Sequence, residues 1–167
     1  MNKTILLLVG LLLVAGAVWA EVYVFQFRTY FQETVVQETL PPMPTTQAQG
    51  TQQVQATPRV VAQGSFGKVD VVHKGSGTAR IVEQGGKRYL QLENFQVTNG
   101  PDLYVYMSDS KTPGGTLESL GNYSNLARLK ASSGNQIYEI PESIRGYDTA
   151  VIWCQKFGVL FSYAVME

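Results

Sequence analysis

The chain of 167 residues predicts an all-β body, an antiparallel β-sandwich of jelly-roll-like form, behind an N-terminal apolar segment. Three observations predict it. From residue 63 to the C-terminus, short runs of strand-forming residues alternate with glycine-containing turns, the spacing of a sandwich or barrel. Tyr89-Leu90-Gln91-Leu92-Glu93 puts its leucines on one side and Gln91 and Glu93 on the other, the period of a half-buried strand. No stretch of the body carries a sustained apolar stripe of helical period.

The N-terminal segment comes first. Met1-Asn2-Lys3 is a short positive head, and residues 5–20 run without a charged side chain. One reading is a secretory signal peptide cleaved after Val18-Trp19-Ala20. The favoured reading is a retained transmembrane anchor over residues 5–27, whose Tyr23, Phe25 and Phe27 suit the membrane–water belt. Both readings keep Lys3 on the cytoplasmic side and send the rest outside. The expected location is therefore the cell membrane, with secretion after cleavage as the alternative. Residues 41–58 are uncharged and rich in Gln, Thr and Pro, a composition that buries too little surface to offset its ordering entropy. They read as a tether with a coil-like reach of roughly 25 Å. Residues 29–40 either extend the anchor helix or form juxtamembrane coil. The expected organisation is thus an anchor or signal over 1–28, a flexible tether over 29–62 and a β-sandwich domain over 63–167.

Within the body, residues 65–73 form a first candidate strand region, ended by Gly75-Ser76-Gly77. Residues 78–83 and 87–94 flank Gln84-Gly85-Gly86, a hairpin signal. The turn Asn99-Gly100-Pro101-Asp102 leads into a strand over residues 103–107. Residues 108–121 are loop-rich, and residues 123–130 fit a short strand or one helical turn. After Ser132-Ser133-Gly134-Asn135 comes a strand from Gln136 to Ile140. Two closing strands, 149–156 and 159–166, surround Phe157-Gly158.

The composition excludes much chemistry. Formal net charge is +0 and no basic block occurs, so nucleic acid is not an expected partner. One histidine, His73, and one cysteine, Cys154, are too few for a blue-copper site, a three-histidine zinc enzyme or a four-ligand Cys/His zinc site. Cys-x-x-Cys-His, Gly-x-Ser-x-Gly and an Asp-x-Asp-x-Asp-Gly calcium loop are all absent. The acids Asp70, Glu93, Asp102, Asp109, Glu118, Glu139, Glu142 and Asp148 are scattered.

Cys154 ends the strand-like run Ala150-Val151-Ile152-Trp153-Cys154 and has no partner for an intramolecular disulfide. Period-2 geometry puts Ala150 and Ile152 on its face, and Val151 and Trp153 on the other. Three readings stay open. Cys154 is an inert buried thiol; or it ligates a haem iron, with His73 or a methionine as second axial ligand; or it is a redox thiol near Lys156 or Arg145. The candidate redox or cofactor residues are Cys154, its neighbour Trp153, and His73, whose ordinary role is a strand-end histidine bonded locally. In a non-redox reading, Tyr104, Tyr106, Tyr123 and Tyr147 present a surface for a protein or glycan.

A resemblance joins these pieces. Gly64-Ser65-Phe66-Gly67, Gly77-Thr78-Ala79-Arg80-Ile81 and Leu90-Gln91-Leu92-Glu93-Asn94-Phe95 resemble the opening of the DM-thirteen domain. Asn99-Gly100-Pro101-Asp102-Leu103-Tyr104-Val105-Tyr106 resembles its central signature. Gly134-Asn135-Gln136-Ile137-Tyr138-Glu139-Ile140-Pro141 and Val151-Ile152-Trp153-Cys154-Gln155-Lys156-Phe157 resemble its closing ones. The match covers about residues 64–165 in the family's order. The resemblance implies an extracytoplasmic β-sandwich proposed to transfer electrons at cell surfaces. It also implies that Cys154 is the family's cysteine, acting as a free thiol or as ligand to a prosthetic group such as haem. Any redox or cell-surface partner is then a separate protein.

Overall fold

The computed structural model describes residues 10, 12–16, 18–19, 33–42 and 57–167. The chain divides into two compact units, Met1–Gln32 and Glu33–Glu167. In the first unit the described residues are helical. Among the described residues no helix is long and apolar enough to cross a membrane. Most of the expected span 5–27, with Tyr23, Phe25 and Phe27, lies outside the described residues, as do residues 43–56 of the expected tether.

The second unit is all-β. Its strands are β1 (Val35–Gln37), β2 (Arg59–Ser65), β3 (Gly75–Gln84), β4 (Lys87–Val97), β5 (Leu103–Ser108), β6 (Tyr123–Arg128), β7 (Ser133–Ile140), β8 (Thr149–Cys154) and β9 (Val159–Val165). They form a five-stranded sheet ordered β1-β7-β4-β3-β2 and a four-stranded sheet ordered β6-β5-β8-β9. Among the described residues every strand pair is antiparallel except β1 with β7, which is parallel, so the first sheet is mixed rather than purely antiparallel as expected.

The core follows from strand alternation. Ala79 and Ile81 of β3, Leu90 and Leu92 of β4, and Tyr138 and Ile140 of β7 face Val105 and Met107 of β5 and Ala150 and Ile152 of β8 in one buried cluster. Each valine, leucine, isoleucine or methionine among them taken fully from water contributes about 1.5–3 kcal/mol. Because the side-chain period is two, the alternate residues point outward. On β3 and β4 these include the ion pair Arg80–Glu93 at 2.6 Å.

One strand expectation changes and one open alternative is resolved. The region 65–73 is not a strand beyond Ser65. There the Asp70 carboxylate accepts the backbone N–H groups of Val72 and His73, each at 2.7 Å. This local side-chain capture of amides replaces a ladder. Residues 123–130, open between strand and helical turn, contain strand β6.

The folded unit also takes in both ends of the stretch read as tether. Arg59 already pairs with Glu83. Further upstream, Val35, Val36 and Gln37 pair with Ser133, Gly134 and Asn135. Thr34 and Ser132 clamp that junction reciprocally: Thr34 N–H donates to Ser132 Oγ and Ser132 N–H to Thr34 Oγ1, both at 3.0 Å. Glu38 then receives Lys130 Nζ at 2.7 Å and Ile137 N–H at 2.9 Å, and Gln84 Nε2 donates to the Pro41 carbonyl at 2.8 Å. Residues 33–42 thus form a strap from β7 across to β3.

Candidate redox site around Cys154

β8 is buried at all six positions, so both of its faces are covered. Ala150, Ile152 and Cys154 belong to the core between the sheets. Val151 and Trp153 belong to a second cluster with Tyr106, Leu120 and Leu160, flanked by Tyr104 and Tyr163. The short 3-10 helix Leu117–Leu120 supplies the lid of that cluster. Its last residue is fixed where the Ser108 hydroxyl donates to the Leu120 carbonyl at 2.6 Å.

Cys154 is a free, buried cysteine with no exposed surface. It pairs across the ladder with Leu103 of β5 and Val159 of β9. It is also the last residue of its strand. Gly158 N–H donates to the Cys154 carbonyl at 2.9 Å, and Gln155 N–H to the Asp102 carbonyl at 3.0 Å. The intervening turn, residues 155–158, is exposed throughout, and Phe157 at its tip is 63% exposed.

Trp153 is nearly fully buried and points away from Cys154, as its alternation requires. Its cross-strand partner is Tyr104. Tyr106 lies next along that face and stacks on Tyr123, with ring centroids 5.5 Å apart and planes 5° from parallel. Gln155 Nε2 donates to the Tyr106 hydroxyl at 2.8 Å. Burial pushes the Tyr106 phenol above its ordinary range, against the pull of that hydrogen bond. Tyr147 does not join these tyrosines; it packs against the core between the sheets.

His73 sits in the β2–β3 loop. Its Nδ1 is 2.6 Å from Asp70 Oδ2, and its ring meets Phe161 edge-on at 4.5 Å between centroids. The hydrogen bond from the His73 side chain, helped by the two backbone amides, holds the Asp70 carboxyl down at about 2. Phe161 belongs to the same core cluster as Cys154, so the loop histidine is linked to the thiol's surroundings through that ring. Trp153 and Cys154 are not brought to a common face.

These residues do not fit a haem. A thiolate axial ligand needs one open face for the macrocycle, whereas Cys154 is enclosed between Leu103 and Val159 in a packed core. The Asp70 bond to His73 Nδ1 leaves Nε2 able to ligate, so the misfit rests on the enclosure of the thiol. Among the described residues no group of three or more His, Cys, Asp or Glu side chains is placed to hold a metal ion.

Two features at this end of the molecule escaped the sequence reading. Phe157 looked like part of a turn between strands, and its exposure is a tertiary fact. The contact between His73 and Phe161 joins residues far apart in the chain, which periodicity does not reveal.

No curated protein and no solved structure matches the chain. A family model described as electron transfer DM13 matches residues 65–166, a span that begins at the end of β2 and takes in β3 to β9. The chain belongs to the electron transfer DM13 family.

Proposed function

We propose that this chain is a membrane-tethered, extracytoplasmic electron-transfer module that works through the Cys154 thiol with separate partner proteins. The observation that carries the reading is position: Cys154 closes β8 immediately before an exposed turn. A thiol at a strand end is reached by opening a few residues, at a lower free energy than global unfolding. Phe157 offers a partner an exposed aromatic anchor beside it, a residue type suited to interface hot spots. The mostly apolar stretch 5–27, with Glu21 and Gln26 towards its outer end, supports the tethering.

With one cysteine, the chemistry is a relay between a dithiol donor protein and a disulfide acceptor protein. With the turn open, the Cys154 thiol loses its proton to water. Its thiolate then attacks one acceptor sulfur, and the other acceptor sulfur leaves as thiolate. A donor thiolate next attacks the Cys154 sulfur, releasing the acceptor as a dithiol. The donor's second thiolate then closes the donor disulfide and frees Cys154. Two electrons pass from donor to acceptor, and Cys154 is returned unchanged.

The test is titration of the full chain with a small aromatic disulfide that releases a coloured thiolate. The expected result is reaction in native buffer faster than global unfolding allows, abolished in Cys154→Ala. A thiol that reacts only at the rate of global unfolding overturns the reading.

One observation favours a second reading, a non-redox module that binds protein or glycan. Tyr123, 40% exposed, stacks on Tyr106 over the buried Trp153, which builds a rigid aromatic surface with polar tips. A native-state thiol silent in the titration leaves this reading standing.

A further inference from the structure

Away from Cys154, the inner-face alternation of the five-stranded sheet ends in charge. Arg59 of β2 pairs with Glu83 of β3, and Glu83 pairs with Arg88 of β4. Arg88 is in phase with core residues Leu90 and Leu92, so it continues the buried face rather than the solvent face. Next to this row lies a cleft of about 380 Å³, walled by Arg59, Glu83, Arg88, Arg145, Thr57 and the Gly85-Gly86 turn.

The charges in the cleft are poorly balanced. Among the described residues, three guanidinium groups share one lining carboxylate. Glu83 bonds Arg59 at 3.2 Å but stands 3.9 Å from Arg88 Nε, beyond hydrogen-bond reach. Arg88 Nε is buried without a hydrogen-bond partner among the described residues, and the side chain is only 13% exposed. Arg145 has its own partner, Glu142, at 2.7 Å, but an exposed pair of this kind is weak and releases its arginine cheaply. A nearly buried cation without a bonded counter-charge is costly. An anion in the cleft compensates it.

We propose that this cleft is a binding site for a phosphate monoester, held by Arg88 and Arg145 with Arg59 at the rim. The surplus of lining positive charge matches a dianion, which a phosphate monoester is above its second ionisation near pH ~6. Planar guanidinium forks bind its oxygens in pairs. The Gly85-Gly86 turn leaves the mouth open, since a Cβ at either position meets nothing within 4 Å. The volume exceeds what the bare ion needs, leaving room for the esterified group. The proposal is independent of the redox reading.

The experiment uses the full chain in detergent micelles, titrated with inorganic phosphate and with glycerol 3-phosphate at ionic strength matched by sodium chloride. Thermal midpoint and calorimetric binding are the readouts. The expected result is a saturable rise in midpoint with both, weakened about tenfold by loss of one charge-assisted bond in Arg145→Gln. Arg88→Lys keeps the charge, loses the fork and weakens binding as well. Should that variant fail to fold, Arg59→Gln and Arg145→Gln, whose parent side chains are 74% and 55% exposed, carry the test. Short-chain phosphatidic acid binding tighter than glycerol 3-phosphate assigns the phosphate to a lipid headgroup. Equal affinities assign a soluble ester. A response no larger than that to chloride, or variants that bind like the parent, overturns the proposal, as does binding of succinate in preference to phosphate.

Discussion

Trp153 and Cys154 are adjacent in sequence and buried on opposite faces of β8, the thiol in the core between the sheets and the indole in the aromatic layer outside it. One strand therefore seals two clusters, and substitutions at the two positions report on different parts of the molecule.

Cys154→Ala should cost less stability than Cys154→Ser. Serine carries a hydroxyl into a dry site, where an unpartnered polar group costs about 1–3 kcal/mol. Urea denaturation of the two variants checks the order. A serine variant at least as stable as the alanine one shows the site to be wet or polar.

Tyr106→Phe removes the acceptor for Gln155 Nε2 while keeping the stack on Tyr123. A loss of about 0.5–1.5 kcal/mol is expected, with an added effect on the turn that follows Cys154, because Gln155 opens it. Thiol reactivity of the variant in native buffer should rise relative to the parent.

The strap depends on Gly134. This residue has φ of +104°, and a Cβ there would collide with the Val36 carbonyl oxygen. Gly134→Ala should detach β1 from β7, with the loss of amide protection at residues 35–38 measured by hydrogen exchange. Protection retained at those amides refutes the assignment of β1.

Acid should loosen the β2–β3 loop at a defined point. The Asp70 carboxyl titrates at about 2 in the folded chain against an ordinary value of 3.8. A carboxyl with a lowered folded value gives stability that is present above its ordinary value and lost as pH falls through the folded one. The loop contribution should therefore be complete above pH 4 and fade towards pH 2, and be missing in Asp70→Asn. Exchange of the Val72 and His73 amides across that window is the measurement.

At the alkaline end, burial raises the Tyr138 phenol above its ordinary range, against a hydrogen bond from the Lys130 amide. Its neutral form is the one the fold accommodates, so stability is full below the ordinary phenol value and declines as pH rises through the folded one. Absorbance titration should show Tyr138 ionising after the exposed tyrosines and together with unfolding. Tyr138→Phe removes that late step.

Much of the fold was legible because period-2 patterning is local. β4 declares a core face by setting Leu90 and Leu92 against Gln91 and Glu93, and placing Ala150, Ile152 and Cys154 on one side of β8 needed nothing but alternation. Strand β1 was not legible: three residues carry almost no pattern, and their partner lies near residue 134. The loop after Ser65 misled for a different reason. Its valines have strand propensity, but Asp70 takes the amides that a ladder would use. At the site, alternation put Cys154 on the face of Ala150 and Ile152 but left its depth open, because whether that face packs or lines a pocket is a tertiary fact. The arginine row did not, because Arg59, Glu83 and Arg88 meet only when β2, β3 and β4 pair.

The parallel pairing of β1 also sets how the second unit responds to force. Tension at Glu33 directed along β1 loads the bonds from Thr34 to Glu38 together in shear, whereas tension across the strand parts them one at a time. The Lys130–Glu38 bridge at the far end acts as a stop. Under such a pull the strap is the fuse, and the sandwich with Cys154 inside it stays closed until the strap has given way.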